Sequence, residues 1–152
     1  MNYENLKERT QRFALNVIKI TERLPKDLTS RVLGTQLLRS GTAVGANYRA
    51  VCRAKSNADF IAKFGTVEEE ADESGYWLEL LVASGKLEPD PAAALLRGSN
   101  ELTAIAVSSI RTARVSGGRR SAECGARNVE SRDGGTRVMR IAAWRSFGSY
   151  EI

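Results

Sequence analysis

The densest run of groups that could do chemistry is Glu68-Glu69-Glu70, followed at once by Asp72 and Glu73. Carboxylates gathered on one helix are one ingredient of bundle-core metal centres. Such centres also need acids from other helices and Glu-x-x-His pairs. This chain has no histidine, which removes the commonest metal ligand and the commonest acid–base group near neutral pH. No other stretch offers a comparable acid cluster. The expected role of the run is a solvated face, or ion pairs with Arg49, Arg53 and other basic residues of the preceding helix. The two cysteines, Cys52 and Cys124, are too far apart to match a metal-ligand spacing. Cys52 is expected to be a small buried apolar residue. There is no Ser/His/Asp set, no Cys/His pair and no phosphate-binding glycine loop. The composition therefore points away from an enzyme, with no cofactor and no metal expected.

At 152 residues the chain suits one domain. Its net charge of +5 and pI near 9.5 permit contact with nucleic acid or an anionic surface without requiring it. The charged, amphipathic N-terminus is unlike a signal peptide. No apolar run reaches the length of a membrane span. A cytoplasmic location with no membrane partner is expected.

The elements that would carry these groups are four helices, read from apolar spacing. The first is expected over 3–24, with Leu6, Thr10, Phe13, Val17, Ile20 and Leu24 on one face. Pro25 ends it. The second, expected over 28–54, presents Leu33, Leu37, Ser40, Val44, Asn47, Val51 and Ala54. It also carries Gly34, Gly41 and Gly45, each costing about 1 kcal/mol against alanine in an isolated helix. Such a helix needs close packing to persist, and Asn47 would be a buried amide on its seam. The third, over 57–84, has the clearest seam: Phe60, Phe64, Val67, Ala71, Ser74, Leu78 and Leu81. Ser56 or Asn57 should cap it, and Gly85 suits the left-handed position beyond its end. The fourth, over 91–114, is expected to start with Asp90 as cap and Pro91 in the first helical position. Its seam is Ala92, Leu95, Ser99, Leu102, Ala106, Ser109 and Ala113. Arg111 and Arg114 fall near its C-terminal end, where cations complement the helix dipole. Short links between successive helices favour antiparallel neighbours. The fold expected is an all-α, up-down-up-down four-helix bundle over 1–114.

From residue 115 the composition turns rich in Gly, Arg and Ser. This tail, 115–152, holds seven arginines against four acids. Residues 1–114 keep only a small excess, sixteen basic against fourteen acidic. The tail is expected to be disordered or weakly ordered, with a short helix near 137–147.

The middle of the chain also resembles a known family. The pieces that carry the resemblance are Ser40-Gly41-Thr42, Gly45-Ala46-Asn47-Tyr48-Arg49, Arg53-Ala54, Ser56, Asp59-Phe60-Ile61, Lys63, Glu69, Glu73 and Tyr76-Trp77-Leu78. Together they resemble the signature of the bacterial four helix bundle proteins related to those encoded in intervening sequences of 23S ribosomal RNA genes. The outline covers about residues 3–114. One departure is Ala50, where members generally place Glu. The resemblance implies a ring-like homopentamer, and some relatives in retroelements bind nucleic acid and a reverse transcriptase.

The function expected is therefore a non-enzymatic oligomeric accessory protein that binds RNA or a nucleoprotein through a basic surface multiplied by symmetry. Lys19, Arg23, Arg31, Arg39, Arg49, Arg53, Lys55 and Lys63 are the basic positions available, with Arg39, Arg49, Arg53, Lys55 and Lys63 as nucleic-acid candidates. A protein-only homo-oligomeric scaffold with no nucleic-acid role is the alternative. Apolar residues beyond the four seams, among them Ile18, Leu38, Ile61 and Leu80, exceed what one bundle buries. Gly41, Gly45, Tyr48, Tyr76 and Trp77 are the expected interface between subunits.

Overall fold

Four helices form in the computed structural model, which describes residues 6–123, with side chains through Gly117. They are α1 (Leu6–Thr21), α2 (Leu28–Val51), α3 (Asn57–Ala83) and α4 (Pro89–Glu123). Each packs against the next in antiparallel sequence, and α4 closes back on α1 along a lighter seam. There is no strand among the described residues. The up-down-up-down four-helix bundle expected from the four seams is the fold.

The ends of the helices follow local chemistry. The Asp27 carboxylate caps α2, accepting from the Ser30 N–H at 3.0 Å and the Ser30 hydroxyl at 2.9 Å. Ser56 caps α3 by accepting from the Asp59 N–H at 3.1 Å, and Asp59 in return accepts from the Lys55 N–H at 2.9 Å. That exchange satisfies two donors that a helix start leaves open. Gly85, at φ 68°, ends α3 in the left-handed position expected of it. The α4 start differs from expectation: it lies at Pro89, not Pro91. Proline at either position fits a first helical turn, and starting at Pro89 places Asp90 in that turn, where its charge meets the positive end of the helix dipole.

All seven expected seam residues of α4, from Ala92 to Ala113, are buried. Phe13, Val17, Leu37, Val44, Phe64, Val67, Leu78 and Leu81 join the same core. On α2 the seam is corrected by one position. Tyr48 is 5% exposed and meets the Phe64 ring edge-on, whereas Asn47 is half-buried. A buried set of Ser30, Gly34, Leu37, Ser40, Gly41, Val44, Tyr48 and Val51 follows the true 3.6-residue turn. The strict 4-3 reading departs from it at Asn47 and meets it again at Val51.

The small residues of α2 and α3 sit where helix backbones come close. A Cβ on Gly41 would lie 2.8 Å from a Val17 methyl, and one on Gly75 would lie 3.0 Å from the Ser99 hydroxyl. Between α2 and α3, the Ser74 hydroxyl donates to Ser40 Oγ at 3.0 Å in the sealed core. Both hydroxyls also reach carbonyls of their own helices, so neither is orphaned.

Three further expectations change. Cys52 is exposed rather than buried, because α2 ends at Val51 and leaves Cys52 as its C-cap. The first and second helices stop about three residues short of their expected ends. The fourth runs to Glu123, past the expected stop near Arg114. Just before this extension, Asn57 fastens α4 by donating its side-chain amide to the Ala113 carbonyl at 3.0 Å. The expected disorder of the tail beyond residue 123, including the short helix near 137–147, lies outside the described residues.

The glycines give opposite expectations on substitution. Gly65 has no atom within 4 Å of the position a Cβ would take, so Gly65→Ala should stabilise by up to about 1 kcal/mol through helix propensity. Gly41→Ala drives a methyl into the fully buried, stiff Val17 and should destabilise by about 1–2 kcal/mol. Urea unfolding followed by circular dichroism measures both, and the two midpoints should move in opposite directions.

Candidate nucleic-acid and assembly surfaces

The eight basic positions do not share one surface. Lys19, Arg23 and Arg31 lie at the end of the bundle formed by the α1 exit and α2 entry. Arg49, Arg53 and Lys55 lie at the other end, about 30 Å away along α2 at 1.5 Å per residue.

Two of the nucleic-acid candidates are engaged within the chain. Arg39 pairs with Glu73 and lies 3.4 Å from Glu70. Lys63 pairs with Asp59 one turn earlier on α3. The acidic run thus does make an ion pair with α2, but its partner is Arg39 and not Arg49 or Arg53. The Arg39 hydrogen bond, helped by the Trp77 indole N–H at 2.9 Å, holds the Glu73 carboxyl below its ordinary range. Glu70 moves the other way: burial pushes it up and outweighs the pull of Arg39.

Arg49, Arg53 and Lys55 are exposed and make no side-chain ion pair among the described residues. The last expected turn of α4 adds two cations that the sequence pattern relates only to the helix dipole. Arg111 and Arg114 are exposed, and they rim a groove of about 640 Å³ with Ile61, Gly65, Val107 and Val115. The Asn57–Ala113 bond ties this part of α4 to the α2–α3 turn. Five exposed cations therefore crowd one end of the bundle. The signal that could have found Arg111 and Arg114 is topological: in an up-down bundle the close of α4 lies beside the α2–α3 turn.

The expected interface residues divide. Gly41 and Tyr48 are buried inside the chain, the first against Val17 and the second against Phe64, so neither can meet a second subunit. Gly45 is half-buried and turned toward the Thr10 backbone, 3.5 Å from where its Cβ would be. These glycines serve contact between α1 and α2. Tyr76 and Trp77 do reach the surface. Their rings meet edge-on with centroids 5.0 Å apart, and Tyr76 is 52% exposed. Of the other surplus apolar residues, Leu38 is exposed, while Ile18, Ile61 and Leu80 are half-buried.

No group of three or more metal-ligating side chains occurs among the described residues, and none of their helices is long and apolar enough to cross a membrane. The fold and its surfaces define a small helical bundle with a cationic end and an aromatic, acidic flank. Residues 5–108 match the family of 23S rRNA-intervening sequence proteins, and the chain belongs to that family. It is also similar to a crystal structure of a protein of unknown function from the S23 ribosomal protein family of Bacteroides thetaiotaomicron. The two are 33% identical, over 70% of this chain and 98% of that one, with a TM-score of 0.65. No curated protein matches. The matched region stops short of Arg111 and Arg114.

The Arg39–Glu73 pair has a defined pH dependence. A carboxylate held low in the folded state adds stability above its unfolded pKa, about 4.3 for Glu, and loses it as pH falls through the folded value. Arg39→Ala should therefore lower the melting temperature at pH 7 by a small amount, as expected of a half-exposed pair. The difference between wild type and variant should close as pH falls below about 4. Melting curves from pH 3 to 7 measure it.

Proposed function

We propose that this chain is a non-catalytic, self-associating accessory protein whose cationic end contacts RNA phosphates. The observation that carries the reading is the set of five exposed cations at one end, Arg49, Arg53, Lys55, Arg111 and Arg114, which have no ion-pair partners among the described residues. Phosphate contacts need only such charges and carry no sequence preference. Closed cyclic assembly, five copies by family resemblance, multiplies the cationic ends on one face of a ring, raising the local potential beyond what one subunit offers. Membership of a family described by 23S rRNA intervening sequences makes RNA the polyanion of choice. A second reading, a protein-only scaffold, draws on the near-balanced charge of residues 1–114.

The test is fluorescence anisotropy with a labelled single-stranded RNA across a salt series. Three to five phosphate contacts per subunit should give a slope of log K against log salt of roughly −2 to −3.5. The combined variant Arg49→Glu, Arg53→Glu and Arg111→Glu should weaken binding at least tenfold with helix content unchanged, since all three positions are exposed. An absence of salt-sensitive RNA binding by the wild-type chain would favour the scaffold instead.

A further inference from the structure

Packing between α3 and α4 is uneven. At Gly75 the two helices are tight, because a Cβ there would lie 3.0 Å from the Ser99 hydroxyl. About three turns earlier on α3, Gly65 has no atom within 4 Å of the position a Cβ would take. Gly65 therefore weakens its helix without serving a close approach. Its effect is to leave room. The open side of this residue is part of the groove of about 640 Å³ that Arg111 and Arg114 rim, a volume in the range of small-ligand sites.

The groove is polarised along its length. The Asn57–Ala113 hydrogen bond fixes the register of the two antiparallel helices at one end, and Arg111 and Arg114 stand within a turn of Ala113. Glu68, the one acid lining the groove, is three turns along α3 from Asn57, about 16 Å from that end. Between them the lining is apolar: Ile61, Ala62, Gly65, Val107 and Ile110. Val107 is 45% exposed, an apolar side chain left in water on the α4 wall. Neither arginine has an ion-pair partner among the described residues.

An apolar floor with two guanidinium groups at one end suits a ligand that is flat and weakly polar over its body and anionic beside it. An unpaired nucleotide has that form. Its base is apolar on both faces, and its phosphates are anionic. A duplex does not, because its bases are stacked and paired inside and only the backbone and groove edges face outward. We infer that the groove seats an unpaired base of the RNA, with the adjoining phosphates on Arg111 and Arg114. A guanidinium also offers a planar face on which a base can stack. Glu68, at the far end, is placed to accept a hydrogen bond from an N–H on the base edge. Arg49, Arg53 and Lys55, at the same end of the bundle as the two arginines, extend the track for neighbouring phosphates. The inference rests on the RNA reading proposed above and narrows it to unpaired RNA, in a loop or a single strand.

The test compares two labelled probes by fluorescence anisotropy on the full chain: a short oligouridylate, and an abasic ribose–phosphate chain of the same length. Both carry the same phosphates, so the salt-dependent part of binding is common to them. Wild type should bind the oligouridylate at least about fivefold tighter, as one seated base requires. Gly65→Leu fills the groove from a position with open space, so it should abolish that preference. Affinity for the abasic chain, and its salt slope, should stay unchanged. Val107→Gln should reduce the preference from the opposite wall with no change in net charge. Both variants should keep their helical circular dichroism. No salt-sensitive binding of either probe by wild type would overturn the RNA reading and this inference together. Equal binding of both probes by wild type, a preference that survives both substitutions, or a loss of both probes in equal measure would overturn the seated base alone.

Discussion

The distance between α1 and α2 is set at Gly41. With no side chain there, α1 can lay Val17 directly on the α2 backbone, and a single methyl group would meet it at 2.8 Å. The same device recurs around the bundle. Ser40 meets Ser74 between α2 and α3, Gly75 meets Ser99 between α3 and α4, and Gly98 meets the Phe13 ring between α4 and α1. Each helix pair thus has one point where something small faces its neighbour, and Leu37, Leu78 and Leu81 fill the space between those points. Interiors reach crystal-like density through this pairing of large with small. The cost is that α2 carries three glycines in its interior, so its helicity depends on the contacts it makes.

That constraint explains which parts of the molecule are legible in the sequence. The four seams and the breaks at Pro25, Ser56 and Gly85 can be read because each rests on local chemistry repeated every turn. The use of the small residues cannot. Gly41, Gly45 and Tyr48 have the composition of a surface for a second subunit, and the distinction from an internal contact lies in which helix occupies the space. Sequence spacing does not say that. Asn47 and Tyr48 exchange places for a related reason: they are neighbours near the edge of one face, and spacing does not say which of the two the facing helix covers with an aromatic ring. The burial of Cys52 depends on where α2 ends, and helix ends are the least determined part of any such pattern.

The charges sort by a similar logic. Arg9, Arg39, Lys63 and Lys86 each find a carboxylate within the chain. Two of these pairs bridge α1 to α4 and α2 to α3, and Lys86 reaches back from the end of α3 to the Asp27 cap of α2. Such half-exposed pairs add little stability individually. Their larger effect is to remove four cations from any external site. What they leave behind is uneven: exposed cations concentrate where the α2–α3 turn meets the last turns of α4 before Val115, and exposed acids line α3 farther along the axis. An even distribution would have reduced self-repulsion within each copy. The segregation instead gives each subunit a cationic end and an acidic ridge along α3.

These two features can operate together only if they do not compete for the same groups. Residues of the ridge, Glu69, Asp72 and Glu79, lie on the outward side of α3, away from Arg39, which takes Glu73 and Glu70 on the side facing α2. Arg111 and Arg114 lie at the other side of α3, on α4 beside the α2–α3 turn. The acids of the ridge thus lie away from the cationic end, and the positive potential that a polyanion meets rests mainly on that end. In that arrangement the small excess of positive charge over residues 1–114 is no obstacle to binding a polyanion, because what a phosphate backbone meets is the local potential of one face and not the sum over the chain.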